Sequence, residues 1–106
     1  MKSRTKSYHE SLIKSLKDPV EAAGYLNAVL EEGDKEMFLI ALRNVSEAHG
    51  GMARLSRLTK LNRANLYKML SENGHPEIQS IHRVLEALGL TLSVSVKSSE
   101  KIRRAD

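Results

Sequence analysis

The chain has 106 residues, 41% apolar and 28% charged, which suits one compact domain with short tails and leaves no room for a second. It has no cysteine, excluding disulfides and cysteine-ligated zinc, and no apolar run near the ~20 residues that span a bilayer, so a cytoplasmic protein is expected. The net charge of +4 is segregated: residues 1–17 sum to +4, 18–50 to −5, 51–71 to +5, 72–96 to −2 and 97–106 to +2, so a polyanion would be drawn to one face.

Residues 1–7, MKSRTKS, have no apolar residue after the first and are expected to be mobile. Tyr8, Leu12, Ile13 and Leu16 then have the spacing of a short amphipathic helix over Tyr8–Lys17, too short to be stable alone. Asp18, Pro19, Val20 and Glu21 form the clearest helix start: a capping Asp, a proline at the first helical position and a Glu at the third. That helix should run to Glu32, with Ala22, Ala23, Leu26, Val29 and Leu30 on its apolar side and Gly33 as its stop. Asp34 caps the next, whose Met37, Phe38, Ala41, Leu42, Val45 and Ala48 form a broad apolar stripe before the Gly50-Gly51 break. This is the expected scaffold helix.

From Gly51 to Ser71 the chain carries five basic residues and no acidic one. Leu55, Leu58, Leu61, Leu66, Met69 and Leu70 keep a helical spacing interrupted once, between Thr59 and Arg63, which reads as helix, tight turn, helix. Asn62 suits the N-cap of the second helix, which starts at Arg63. On it Leu66, Met69 and Leu70 share a packing face, while Ala64, Tyr67, Lys68 and Ser71 share the other and Arg63 sits at the leading end. In a helix-turn-helix the second helix enters the DNA major groove. Arg63 is the foremost base-contact candidate, since a guanidinium can bond a guanine edge at two points. Asn65 and Lys68 suit phosphates, Tyr67 suits either, and the backbone N–H groups of Met52 and Ala53 could hold another phosphate.

After the motif, Asn73-Gly74 supplies a stop and Pro76 a new start, and Ile78, Ile81, Val84, Leu85 and Leu88 line one face until Gly89. Over Thr91–Val96 the period changes: Leu92, Val94 and Val96 alternate with serines, the pattern of a half-buried strand. It has no ladder partner in the chain, and the cheapest one is the same strand in a second copy, which makes these three residues the expected homodimer interface. The remaining tail, KSSEKIRRAD, is polar and expected to be mobile.

No enzyme is expected, because there is no G-x-S-x-G, no glycine-rich phosphate loop and no Cys-His pair. His9, His49, His75 and His82 lack the spacing of metal ligands, and no cofactor is implied. Glu31, Glu32, Asp34 and Glu36 read as a solvated face around a helix junction. Two rival functions stand beside DNA-binding repression: a protein-binding adaptor on the same scaffold, and a stand-alone regulator of unrelated genes.

The pieces DPVEAAGYLNAVLEEGD, EMFLIALRNV, GGMARLSRLT, NRANLYKMLSENGHPEI and RVLEALGLTLSV resemble the addiction-module antidote proteins, Xre/Cro-type helix-turn-helix proteins often encoded beside a RelE-like killer protein. The resemblance covers nearly the whole chain. It implies an all-α, lambda-repressor-like bundle over residues 34–90, with a helical extension over 1–33 and one C-terminal strand and tail over 91–106. It implies an antitoxin that binds its own operator as a dimer and neutralises a ribosome-dependent, RNA-cleaving toxin. The family's DNA-reading positions fall on Asn62, Arg63, Ala64, Tyr67 and Lys68. Two residues depart from the pattern: Lys60 stands where glycine is common and must accept a tight or left-handed conformation, and His75 stands where Asn is common before Pro76.

Overall fold

The computed structural model describes the backbone of residues 2–98 and the side chains of residues 6–98. Six helices follow in order: α1 Lys2–Ser15, α2 Pro19–Glu32, α3 Lys35–Ala48, α4 Gly51–Thr59, α5 Arg63–Met69 and α6 Ile78–Ala87. Asp18 caps α2 by accepting from the Val20 N–H at 2.9 Å, and Asp34 caps α3 by accepting from the Met37 N–H at 3.2 Å. Gly33 ends α2 in the left-handed region, as expected.

The helices close on α3, which contacts α1, α2 and α4, while α4 in turn contacts α5 and α6. A single core runs from Leu16, Ala22 and Leu26 through Leu39, Leu42 and Val45 to Leu55, Leu66, Leu70 and Val84. His49 at the C-cap of α3 ties down the end of α1 through Nε2 to the Leu16 carbonyl at 3.1 Å, and Asn44 Nδ2 donates to the Tyr25 hydroxyl at 3.0 Å. The N-terminal helices are thereby bolted to the scaffold helix.

Several expectations are corrected. Residues 2–7 continue α1 instead of forming a mobile tail: once the turn around Leu12 and Leu16 is nucleated, each further residue adds a helical bond, and KSRTKS has no Gly or Pro to stop it. The apolar stripe of α3 is shifted. Met37 is exposed and Leu39 buried, because α3 has neighbours on more than one side and a one-face periodicity does not describe it. Pro76 does not begin α6. Glu77 is extended and forms the N-cap without a side-chain bond, so the helix starts at Ile78, which points to solvent.

The C-terminus of α6 closes in a Schellman motif: Gly89 has φ 80°, its N–H bonds the Glu86 carbonyl at 3.1 Å, and the Leu90 N–H bonds the Leu85 carbonyl at 2.8 Å. Beyond it, residues 91–98 carry no regular secondary structure, so the strand expected over Thr91–Val96 is not formed. A single chain offers it no ladder, and an extended segment alone has none of the cross-strand bonds that define a strand. The polar tail expected from Lys97 onward lies, past Ser98, outside the described residues, as does Met1.

Gly74 is buried against the end of α5, where a Cβ would overlap the Met69 carbonyl group. Gly74→Ala should therefore lower stability by about 1–3 kcal/mol, since backbone rather than a flexible side chain must shift. Gly24→Ala, at an exposed position of α2 with open space around it, should raise stability by about 0.5–1 kcal/mol. Urea unfolding followed by circular dichroism checks both signs.

Candidate nucleic-acid interface

The turn into α4 depends on Gly50 at φ 106° and Gly51 at φ 84°, a pair of left-handed residues that reverses the chain out of α3. Arg54 Nη1 spans this corner, donating to the His49 carbonyl at 3.1 Å. Gly50 has no side chain to cap α4, so the first-turn N–H groups, those of Met52 and Ala53 among them, receive no side-chain cap. The Met52 side chain is half-buried against the core.

Between α4 and α5 stand three residues, 60–62. Lys60 adopts φ 64°, the left-handed conformation that its place in the turn demands and that a side chain opposes by about 1–2 kcal/mol. Two hydroxyls hold it there. The buried Thr59 Oγ1 donates to the Leu55 carbonyl at 2.7 Å and accepts from the Leu61 N–H at 3.2 Å. Ser56 Oγ donates to the Leu61 carbonyl at 2.5 Å, and the Lys60 N–H itself bonds the Ser56 carbonyl at 2.8 Å. These bonds fix where α5 starts. Asn62 then caps it, its Oδ1 accepting from the Ala64 N–H at 2.7 Å and the Asn65 N–H at 3.3 Å. His75, the other departure, caps nothing: its Nδ1 accepts from Lys35 Nζ at 3.0 Å.

On α5, Leu66 and Leu70 are fully buried and Met69 half-buried, while Arg63, Ala64, Asn65, Tyr67 and Lys68 are exposed. Three of these exposed residues line two depressions, and Arg63 and Ala64 line neither. Tyr67, 51% exposed, lines a cleft of about 410 Å³ with Gly51, Met52, Arg43, Asn44 and His9. Asn65 and Lys68 line the other, against the 71–77 loop. Ala64 falls between Tyr67 and Lys68 on the helical wheel, leaving a shallow ridge that something could approach closely. Thus Met52 and Tyr67 are brought together and Asn65 and Lys68 are brought together, on opposite sides of α5. Leu92, Val94 and Val96 lie elsewhere, exposed beyond α6.

Motif-based reading of the sequence omits Arg43, Asn44 and His9, which reach the Tyr67 cleft from α3 and α1. No linear spacing links them to Tyr67; the one signal is that Arg43 falls outside the apolar stripe of α3. The charge pattern survives folding. Arg54, Arg57, Lys60, Arg63 and Lys68 are all exposed, and the two ion pairs found among the described residues, His9 with Glu47 and His82 with Glu86, use none of them. Glu47 is the one acidic residue lining the Tyr67 cleft, and it faces His9 at 3.4 Å.

Helix, hydroxyl-locked turn, capped helix and an unneutralised basic face are what the geometry presents. The family model described as "probable addiction module antidote protein" matches residues 7–96, and the chain belongs to that family. Among curated proteins, an uncharacterized protein of Haemophilus influenzae is 36% identical over 70 residues, 66% of this chain and 71% of the relative. No solved structure matches the chain.

Asn62→Ala should cost about 1 kcal/mol of stability by removing the cap of α5. Hydrogen exchange should localise the loss, with the Ala64 and Asn65 amides deprotected more than those of α3; an evenly spread change would contradict the capping role.

Proposed function

We propose that the protein is the antitoxin of a type II toxin–antitoxin module, a cytoplasmic, sequence-specific DNA-binding repressor that autoregulates its operon as a homodimer and neutralises a RelE-like toxin. Family membership supports the antitoxin role. The DNA-binding part rests on one observation: α5 offers an exposed face bearing Arg63, Tyr67 and Lys68 in a stretch from 51 to 71 with five cations and no carboxylate. A surface used only for protein contacts would have no need of that exclusion.

In this reading α5 enters the major groove. Arg63 contacts a base edge, Asn62 and Ala64 approach the bases at the leading end, Asn65 and Lys68 hold phosphates on one side, and Tyr67 with the Met52 and Ala53 amides holds the backbone on the other. The double-stranded operator should be bound with a log–log salt slope on the order of −4 or steeper, from about 4 to 6 phosphate contacts per protomer. Arg63→Ala should flatten sequence preference by about 1–3 kcal/mol at one base position, and Lys68→Ala should weaken all sequences alike. Gel shifts across a salt series measure both; operator binding indifferent to both changes would sink the assignment.

Leu92, Val94 and Val96 are proposed as the dimer contact, with the Thr91–Val96 strand formed by pairing with its counterpart, placing the two α5 helices about 34 Å apart for half-sites one turn apart. Truncation after Gly89 should yield a monomer in sedimentation.

The toxin contact is assigned to α1, α2 and the start of α3. Glu21, Glu31, Glu32 and Glu36 are all exposed there, and such an acidic surface would speed encounter with a basic RNA-cleaving enzyme. Of the apolar anchors on these helices, Tyr8 and Val20 are free, whereas Leu12 and Tyr25 are partly committed to the core. Copurification with the protein encoded beside it, and growth rescue that is lost when the four glutamates are reversed to lysine, are expected; rescue that survives reversal would remove this surface from consideration.

A further inference from the structure

Three of the exposed large apolar residues, Leu30, Ile78 and Leu92, line one groove. This groove of about 550 Å³ runs between α2, α3 and α6, floored by Leu26, Phe38, Ile81 and Leu85. Leu30, 52% exposed, and Ile78, 70% exposed, also line it, and no residue lining it carries a charge. Residues 90–93 line the groove too, and the chain then leaves it: Leu92 is 40% exposed, Val94 99% and Val96 85%.

We propose that this groove receives Val94 and Val96 of a second copy of the chain, each copy filling the other's groove about a two-fold axis. The proposal rests on the dimeric reading above and adds to it the surface that the segment covers. Three observations favour a second copy. The groove and the segment are both uncharged through Val96, so neither complements the acidic or basic surface of another protein. The segment has no turn or bend, and Val94 and Val96 stand exposed past their own groove. To fold back in the same chain it would have to reverse within residues 93–96, where there is no Gly, Pro, Asn or Asp and the β-branched valines resist positive φ. Seating and pairing are compatible, because side chains stand perpendicular to the ladder direction: Leu92, Val94 and Val96 face the helices while the backbone pairs with the opposite segment.

The absence of cysteine makes the test direct. Full-length chains carrying Val94→Cys and Ile78→Cys separately, mixed and oxidised, should form a disulfide-linked dimer between the two variants. Ile78→Ser, a change at an exposed site that should leave the fold intact, should weaken dimerisation about tenfold or more in sedimentation. A double variant that links within one chain would overturn the proposal in favour of the chain's own segment. Val94→Cys linking only to itself, with Ile78→Ser leaving the dimer unchanged, would overturn the groove while leaving the strand-paired dimer standing. A full-length protein monomeric at micromolar concentration would overturn both. If Ile78→Ser spared the dimer but abolished copurification with the toxin, the groove would belong to the toxin and the proposal would fall.

Discussion

Everything in this fold hangs on α3 being buried on more than one side. Leu39, Ala41, Leu42, Val45 and Ser46 are all but inaccessible and Ala48 nearly so, so beyond its exposed first turn the helix has one strip left for solvent, carrying Arg43 and Glu47. A side chain as polar as Ser46 fits at the centre because its hydroxyl donates to the Leu42 carbonyl one turn back, at 2.8 Å. The small residues Ala41 and Ala48 leave room for neighbouring helices to approach. With α1 and α2 held on this helix and α4 packed against it, the orientation of the helix pair α4–α5 is set by core packing. It does not depend on surface charge, which is what allows the surface of α5 to be almost entirely basic and polar.

The sequence made much of this legible, and the residues that were legible share a property. Asp18, Asp34 and Asn62 are caps, Gly33 and Gly89 are stops, and the break at Gly50-Gly51 is a pair of left-handed residues; each acts through bonds within a few residues of itself. Local chemistry reads locally. What could not be read depends on what the chain meets after folding. Met37 and Leu39 exchange roles because the direction of the core is set by α1, α2 and α4 together, and Ile78 has the period of a buried residue but sits at the first turn of α6, beyond the core. The strand over Thr91–Val96 fails to form for the same reason in a sharper version: its pattern specifies a partner that one chain does not contain. On the candidate site the cap, the buried face and the exposed face of α5 followed from spacing, whereas the approach of Arg43 and His9 to Tyr67 is a tertiary fact with no linear signature.

Lys60 shows how the motif tolerates a departure from its usual pattern. A non-glycine residue at φ 64° is disfavoured, and the neighbouring hydroxyls of Ser56 and Thr59 offset that by giving the following residue, Leu61, partners for both its N–H and its carbonyl. The lysine side chain is consequently delivered to the exterior of the turn, adding a cation to a surface that already has four. If the surface binds DNA, the departure contributes to binding while its conformational cost is carried by two buried or half-buried hydroxyls.

The acidic and basic regions of the chain also constrain each other. Residues 18–50 carry −5 and residues 51–71 carry +5, and α3, the last helix of the acidic stretch, packs against α4, so a polyanion is repelled by the acidic helices and attracted to α4 and α5. In the proposed DNA complex, one seven-residue helix with a single arginine at its leading end would offer few base contacts, too few for high specificity alone. Two such helices fixed at a set distance make the second contact effectively intramolecular, and the gain depends on how rigidly the two are joined. A join made by a flexible pair of strands would hold that distance poorly. A join in which each segment is also seated between α2 and α6 of its partner would couple it to the same core that positions α5, so a change at Ile78, far from any basic residue of the motif, would reach DNA affinity through the geometry of the dimer.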